Sequence, residues 1–326
     1  MTKLATIETI QEISPHPNAD RLVLAKVAGY TVIVPKDIYS VGQKVVFISP
    51  DSVLPDVDWA EPFKKYAPKR IRAIKIRNVF SFGIVVDLNT CGLADVEIGQ
   101  DVSELLGVEK YEAPAPQDLS AKGGLPFGLF KTDEDRYQSL DYVPYGEVVN
   151  VTLKTDGQSS TFYCKNVDGQ WVTGICSRSL EIKEDADNNF TRVNKKYNIL
   201  DKLEEFCKEN NRSIALRGEV FGTGIQNFSV NPHCKKNLGW ACFSALDMDT
   251  LRYFRRDDEL YFTRLCEKLS LPCVPVLEEG VVLSKDLIKK YSEELTHIDG
   301  EMFEGVVVNT DKTSFKIINL AYDAKK

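Results

Sequence analysis

Lys154-Thr155-Asp156-Gly157 stands where an apolar run, Val148 to Leu153, gives out into a turn. A lysine ammonium becomes a nucleophile only by losing a proton, and partial burial near other cations is how a protein lowers its pKa. Alone, K-x-D-G is a weak signal. It arises by chance in roughly one chain of this length in ten, and the plain alternative is a surface turn with Asp-Gly at its apex. The charged blocks that follow change the reading. Ser177-Arg178-Ser179 closes one β-rich run, and Arg217-Gly218-Glu219 opens a glycine-rich stretch that continues to Ile225-Gln226. Phe243 to Asp247, Glu304-Gly305 with three valines, and Ser314-Phe315-Lys316-Ile317-Ile318 come after it. Each block reads as a strand with one or two charges at its edge, so the charges can converge on one cleft between two sheets.

A second concentration of charge lies upstream. Lys64, Lys65, Lys69, Arg70, Arg72, Lys75 and Arg77 fall within fourteen residues and are interleaved with Phe63, Tyr66 and, further on, Phe80 and Phe82. Cations track phosphates and aromatic faces stack on bases, so this stretch points to RNA contact rather than to a solvated strand face. The whole chain carries a formal charge of −7. That excludes a whole-surface grip on a polyanion and leaves a local one.

The elements that must position these residues fall into two regions. Short Val/Ile/Tyr-rich runs at 22–27, 31–34, 44–48, 70–76 and 82–88, punctuated by Pro, Gly and Asp, predict a small all-β barrel over residues 1–111. The Pro/Ala/Gly-rich segment 112–125 is expected to be a linker. From 126 to 326, strands at 147–153, 160–164, 171–176, 214–220, 240–246, 305–308 and 314–318 alternate irregularly with helical spacing at 199–207 and, after the cap Ser284, at 287–295. That irregular alternation is an α+β pattern.

With 326 residues, 43% hydrophobic and 27% charged, the chain has the balance of a soluble two-domain protein. Its eight cysteines include no C-x-x-C pair, which excludes a zinc finger or a stapled secreted scaffold. The start lacks a signal peptide, and no apolar stretch is long enough to span a bilayer. An intracellular, cytoplasmic protein with no membrane partner is the expectation.

In their order, the blocks of the second region resemble the motifs of the covalent nucleotidyltransferases: K-x-D-G, an arginine motif, G-E-x-x-G, an aromatic or apolar strand, E-G-x-V-V and a lysine strand. The resemblance covers about 200 residues, and the Gly218–Gln226 form is most similar to the ATP-dependent RNA ligases. It implies that Lys154 attacks the α-phosphate of ATP and carries AMP, that Arg178 contacts the ribose or phosphate and Glu219 the ribose hydroxyls, and that Lys316 contacts the α-phosphate. It also implies that Asp156 and Glu304 orient a hydrated Mg²⁺ or Mn²⁺, with Leu153 and either Phe243 or Leu246 lining the nucleotide. Attack on a polyphosphate needs its developing charge neutralised, which oxygen-bound cations and fixed Lys/Arg donors supply. Lys131 to Gln138 is similar to the lead-in of such domains and would place Arg136 and Gln138 near the nucleotide. Relatives often carry a second lysine two residues after the first on the last strand; here that position is Ile318, and Lys312 is the alternative source of the charge.

Ser14-Pro15-His16-Pro17-Asn18, with Val41-Gly42, resembles OB-type tRNA-binding modules, in which His16 would fix a loop rather than bind a ligand. The expected architecture is therefore an N-terminal all-β OB-fold barrel followed by an α+β nucleotidyltransferase domain of two antiparallel sheets with flanking helices. An OB module in front, with only ten residues after Lys316, resembles RNA ligase family five. That branch implies sealing of 3′-OH and 5′-phosphate RNA ends, in a nicked duplex, by a monomer. The alternatives are a GTP-dependent capping-type guanylyltransferase and a non-catalytic RNA-binding protein with a degenerate nucleotidyltransferase domain.

Overall fold

The structure is a computed structural model in which residues 3–111, 120–131 and 134–326 are described. The chain divides into two compact units, Met1–Pro114 with Tyr137–Tyr142, and Ala115–Arg136 with Val143–Lys326.

The first unit is β-rich, as its turn-punctuated runs predict. One three-stranded antiparallel sheet is built from Ala5–Thr9, Lys44–Ile48 and Ile84–Asp87, another from Glu12–Pro15, Leu22–Val27 and Tyr30–Pro35. Strict alternation of buried and half-buried residues along Leu22–Val27 is the mark of a strand with one face on a core. Ala28-Gly29 joins it to the next strand with both φ values positive, the backbone that a tight two-residue hairpin requires. Ile7, Val46, Ile48, Ile84, Val86 and Leu106 lie in the core.

The cationic stretch departs from the expected strand over 70–76. Only Ile74–Ile76 is extended, paired with Val79–Ser81 across an Arg77-Asn78 turn in which both φ values are positive. The reason lies in Ile71, which is buried and commits its backbone to Asp51 and Ser52 (2.9 and 2.8 Å) instead of to a sheet ladder. His16 is buried and fixes a loop: its Nδ1 accepts the Asn18 N–H at 3.0 Å, and Nε2 lies 3.2 Å from the Ile76 carbonyl.

The second unit has two antiparallel sheets. The larger runs in the order Ala121–Gly124, Leu180–Ile182, Gln170–Ser177, Gln158–Val167, Ile214–Phe221, Gly239–Asp247, Arg252–Tyr253. The smaller runs Val276–Val282, Val148–Leu153, Gly305–Asn309, Ser314–Ile318. The linker expected over 112–125 is shorter than its composition implied, because Ala121–Gly124 pairs with Leu180–Ile182. Its first part, 112–119, lies outside the described residues.

Three helices cover one face of the larger sheet. Asn188 caps Asn189–Tyr197 through a capping box with Thr191, satisfying backbone N–H groups that the helix start leaves open. Ile199, Leu203 and Cys207, four residues apart, put one buried stripe of Ile199–Asn210 against Phe162, Leu216 and Trp240. Phe262, Leu265, Cys266 and Leu269 do the same for Phe262–Leu269. Because Leu203 is wholly buried in this cluster, Leu203→Ala should destabilise the second unit by about 2–5 kcal/mol. A urea midpoint unchanged from wild type would show that the helix layer does not hold the sheet.

Candidate functional site

K-T-D-G is the crossover between the two sheets of the second unit. Val148–Leu153 belongs to the smaller sheet and Gln158–Val167 to the larger, so the four intervening residues turn the chain from one to the other. The turn is tight for a physical reason. A Cβ on Gly157 would stand 2.3 Å from the Val220 carbonyl oxygen, so only glycine allows the strand to reach Ile214–Phe221 here. Gln226 Nε2 donates to the Gly157 carbonyl at 3.3 Å, and Asn231 Nδ2 donates to the carbonyls of Asp156 (3.3 Å) and Gln226 (3.0 Å). The Gly218–Gln226 block therefore braces the nucleophile motif through its backbone.

Lys154 and Glu304 meet because their strands are neighbours. Leu153 pairs with Val306, the Lys154 N–H donates to the Gly305 carbonyl at 3.0 Å, and the Lys154 Nζ reaches Glu304 Oε2 at 2.5 Å. Gly305 is required here too, since a Cβ would lie 2.4 Å from the Ile317 carbonyl. Asp156 follows two residues after Lys154, and Glu219 sits opposite Ser159 in the adjoining strand. Lys326 Nζ bridges Glu304 Oε1 and Asp156 Oδ2, each at 3.0 Å, and the Tyr322 hydroxyl donates to Asp156 Oδ2 at 2.8 Å.

The electrostatics correct one expectation. Burial near cations would strip Lys154 of its proton, but the neighbours of this lysine are carboxylates. Burial works to lower its pKa, and the charges of Glu304, Glu219 and Asp156, with the Glu304 hydrogen bond, outweigh it and hold the ammonium above its ordinary range. Burial pushes Asp156 up, with the Glu304 charge adding to it against Lys326 and Lys154. For Glu304 burial acts upward, but Lys154 and Lys326 pull its pKa down to about 2. Glu219 goes the other way, to about 8, driven by burial and by Glu304 and Asp156 against Lys154 and the Gly157 N–H.

The remaining predicted residues are placed unevenly. Arg178 is exposed on the turn between Gln170–Ser177 and Leu180–Ile182. Lys316 is half-buried, paired in register with Val307, and its N–H donates to the Asp135 carbonyl at 2.8 Å. Leu153, half-buried, ends the nucleophile strand. Leu246 is fully buried with Leu129, Tyr163, Cys176 and Ala215, whereas Phe243 is half-buried and packs on the helix-covered core. Lys312 does not serve the carboxylates: its side chain is 83% exposed, with Nζ 3.8 Å from Glu147. Arg136 is ion-paired with Asp323 at 3.2 Å, and Gln138 belongs to the first compact unit. Of the upstream cations, Lys65, Lys69, Arg72, Lys75 and Arg77 are exposed. Lys64 is paired with Asp56 and Glu61, and Arg70 with Asp51 at 3.2 Å.

Sequence reasoning missed Tyr322, Lys326 and Asn231. The first two follow Asn319, whose side chain caps Leu320–Asp323; an N-cap residue before a short helix was the one signal available.

The two carboxylate shifts act oppositely on stability. Glu219 keeps in the folded state a proton that the unfolded chain releases above its ordinary pKa of 4.5, so stability falls as pH rises from 4.5 to about 8, by up to about 1.4 kcal/mol per unit. Glu304 contributes stability above 4.5 that is lost as pH falls toward about 2. In Glu219→Gln, melting temperatures measured from pH 5 to 8 should decline less than in wild type; parallel declines would exclude a protonated Glu219.

Known proteins resemble this chain over both regions. The family model for RNA ligase matches residues 147–319, and an OB-fold domain model matches residues 4–88. No curated protein matches the chain. Among solved structures, a mutant Naegleria gruberi RNA ligase with AMP and Mn is similar at a TM-score of 0.81 and 27% identity, covering 99% of each chain. A second mutant of that ligase with ATP and Mn aligns at 0.77 and 26%, covering 98% of each. The same ligase with PPi aligns at 0.78 and 28%, covering 99% of this chain and 98% of that one. The RNA ligase match takes in Lys154, Asp156, Glu219, Glu304 and Lys316, and spans more than half of the sequence, so the chain belongs to the RNA ligase family.

Proposed function

We propose that this chain is an ATP-dependent RNA ligase in which Lys154 is the adenylylated nucleophile. The observation that carries the reading is the Lys154 ammonium fixed 2.5 Å from Glu304, at a crossover between two sheets, with 26% of its side chain exposed. The amine is held by the fold yet within reach of a ligand.

In the first step the Lys154 Nζ, as free amine, forms a bond to the α-phosphorus of ATP while the bond from that phosphorus to the pyrophosphate oxygen breaks. In the second, an oxygen of an RNA 5′-phosphate attacks the same phosphorus and the P–N bond breaks, restoring Lys154. In the third, a 3′-OH attacks the activated 5′-phosphate, a phosphodiester forms and AMP leaves. Glu304, ionised at neutral pH, is placed to orient the Lys154 Nζ through their ion pair. Glu219 presents a buried carboxyl to the ribose hydroxyls, and Arg178 and Lys316 supply cations for the phosphates.

The residues fit a divalent cation. Among the described residues, no cluster of three or more His, Cys, Asp or Glu forms a closed protein cage. Asp156 and Glu304 instead form a carboxylate pair spanned by one ammonium at 3.0 Å on each side. Mg²⁺ and Mn²⁺ suit such a pair, because they take their remaining ligands from water and substrate phosphates. When bound, the metal would supply charge neutralisation at the α-phosphate.

The substrate we infer is RNA with 3′-OH and 5′-phosphate ends in a nicked duplex, sealed by a monomer and engaged by the exposed cations of 64–77. No helix among the described residues is long and apolar enough to cross a membrane.

Incubation with labelled ATP and Mg²⁺ or Mn²⁺ should give an acid-labile protein label that Lys154→Ala abolishes. Label from GTP instead would favour a capping-type enzyme, and label from neither would exclude both. For the upstream patch, Lys69→Ala/Arg72→Ala/Lys75→Ala should weaken RNA binding, and the slope of log K against log salt should become shallower by about 0.7–0.9 for each phosphate no longer neutralised. An unchanged slope in fluorescence anisotropy would remove this patch from the RNA interface.

A further inference from the structure

The strand that ends at Ile318 does not carry a second lysine, and Lys312 points elsewhere, yet a second ammonium stands beside the nucleophile. It belongs to Lys326. Its Nζ lies 3.0 Å from Asp156 Oδ2 and 3.0 Å from Glu304 Oε1, on the opposite oxygen of the carboxylate that holds Lys154.

The segment that delivers it is anchored at each step. The Asn319 N–H donates to the Glu304 carbonyl at 3.0 Å, and the Asn319 Nδ2 donates to the Phe303 carbonyl at 3.0 Å and the Thr296 carbonyl at 3.3 Å. Its Oδ1 caps the helix Leu320–Asp323 by accepting the Ala321 N–H at 3.0 Å. Tyr322, fully buried, ties that helix to Asp156 through its hydroxyl, and the Lys326 N–H returns to the Tyr322 carbonyl at 3.1 Å. The ammonium also lies over the Phe228 ring at 5.5 Å, a contact that favours a cation. Lys326 is thus seated by two carboxylates, a ring and a capped helix.

We propose that Lys326 is a positioning residue for ligation: a tethered counter-ion that holds Asp156 and Glu304 together in the nucleotide-free enzyme and that a divalent cation must displace from them. The inference rests on the reading of these two carboxylates as the metal's protein ligands. The physical argument is charge and place. Three carboxyl groups, those of Asp156, Glu219 and Glu304, surround Lys154, and a metal taken up by the Asp156/Glu304 pair competes with the ammonium already bridging it. A monovalent cation on a side-chain tether keeps two buried like charges from splaying apart. It is also weak enough a holder, with 27% of its side chain exposed, to give way to a doubly charged ion.

The test is Mn²⁺ binding to nucleotide-free protein, read from the free-ion EPR signal. Lys326→Ala and Lys326→Met should each bind Mn²⁺ about tenfold more tightly than wild type, since one competing charge near the pair is gone, while Lys326→Arg should stay near the wild-type affinity. The methionine variant keeps the side chain's length and apolar stem, so it carries the result should the alanine variant fold poorly. Binding that is unchanged or weaker in both neutral variants, while still lost in Asp156→Asn and Glu304→Gln, would overturn the role of Lys326 alone. Binding indifferent to Asp156→Asn and Glu304→Gln would overturn the carboxylate reading itself, and the proposal with it.

Discussion

The ion pair between Lys154 and Glu304 is the constraint on which the second unit depends. The two residues are 150 positions apart in the chain, and what unites them is a single register, Leu153 opposite Val306, with the Lys154 N–H bonded to the Gly305 carbonyl. A one-residue slip of that pairing would turn one of the two side chains away from the other. The glycines at 157 and 305 flank that pairing and admit the carbonyls of Val220 and Ile317 at distances no other residue would permit. Position comes first here, and reactivity follows from it.

The same pairing sets the charge state of the resting site. A half-buried amine paired with Glu304 and close to Asp156 is held as an ammonium, and an ammonium does not attack phosphorus. In the reaction proposed for it, Lys154 therefore starts from an unreactive protonation state, and the substrate complex must change the field around it. Any cation brought to Asp156 or Glu304 weakens their hold on the Lys154 proton and repels the ammonium directly. In this arrangement, catalytic competence is conferred by the ligand and is not a standing property of the protein, which spares a reactive amine from side reactions in its absence.

How much of this was legible beforehand depends on the physics behind each signal. Strands with clean apolar runs, such as Ser314–Ile318 and Ile214–Phe221, were readable because burial on a sheet face imposes composition directly. The helix Ile199–Asn210 was readable from its periodic stripe, whereas Asn189–Tyr197, with Thr191 and Val193 as its buried residues, carries too weak a stripe and is held by its cap instead. The block Lys154, Asp156, Glu219, Glu304 was legible because motif order substitutes for the three-dimensional information that spacing lacks. The burial of Leu246 was not legible, because the alternation that puts it on a face does not say whether that face is covered there, and Leu129 packs in the same cluster. Lys326 was invisible for a different reason: a lone lysine beyond a four-residue helix has no pattern, and only the folded path from Asn319 brings it to the carboxylates.

Net charge was the least informative number of all. The value of −7 sums a cationic stretch at 64–77 with a carboxylate-rich nucleophile site, two local fields of opposite sign and opposite purpose. Exposed cations such as Lys69 and Arg72 attract a polyanion at long range and are screened by salt. The carboxylates around Lys154 do the reverse at short range, since they repel a polyphosphate unless cations stand between. In the proposed reaction, fixed ammonium groups and a divalent ion there would therefore act as more than electrostatic help for the transition state: they would allow ATP to approach Lys154 at all. The same logic ties Lys326 to Asp156 and Glu304, because the ammonium and the two carboxylates are each tolerable in a partly buried cleft only in the presence of the other.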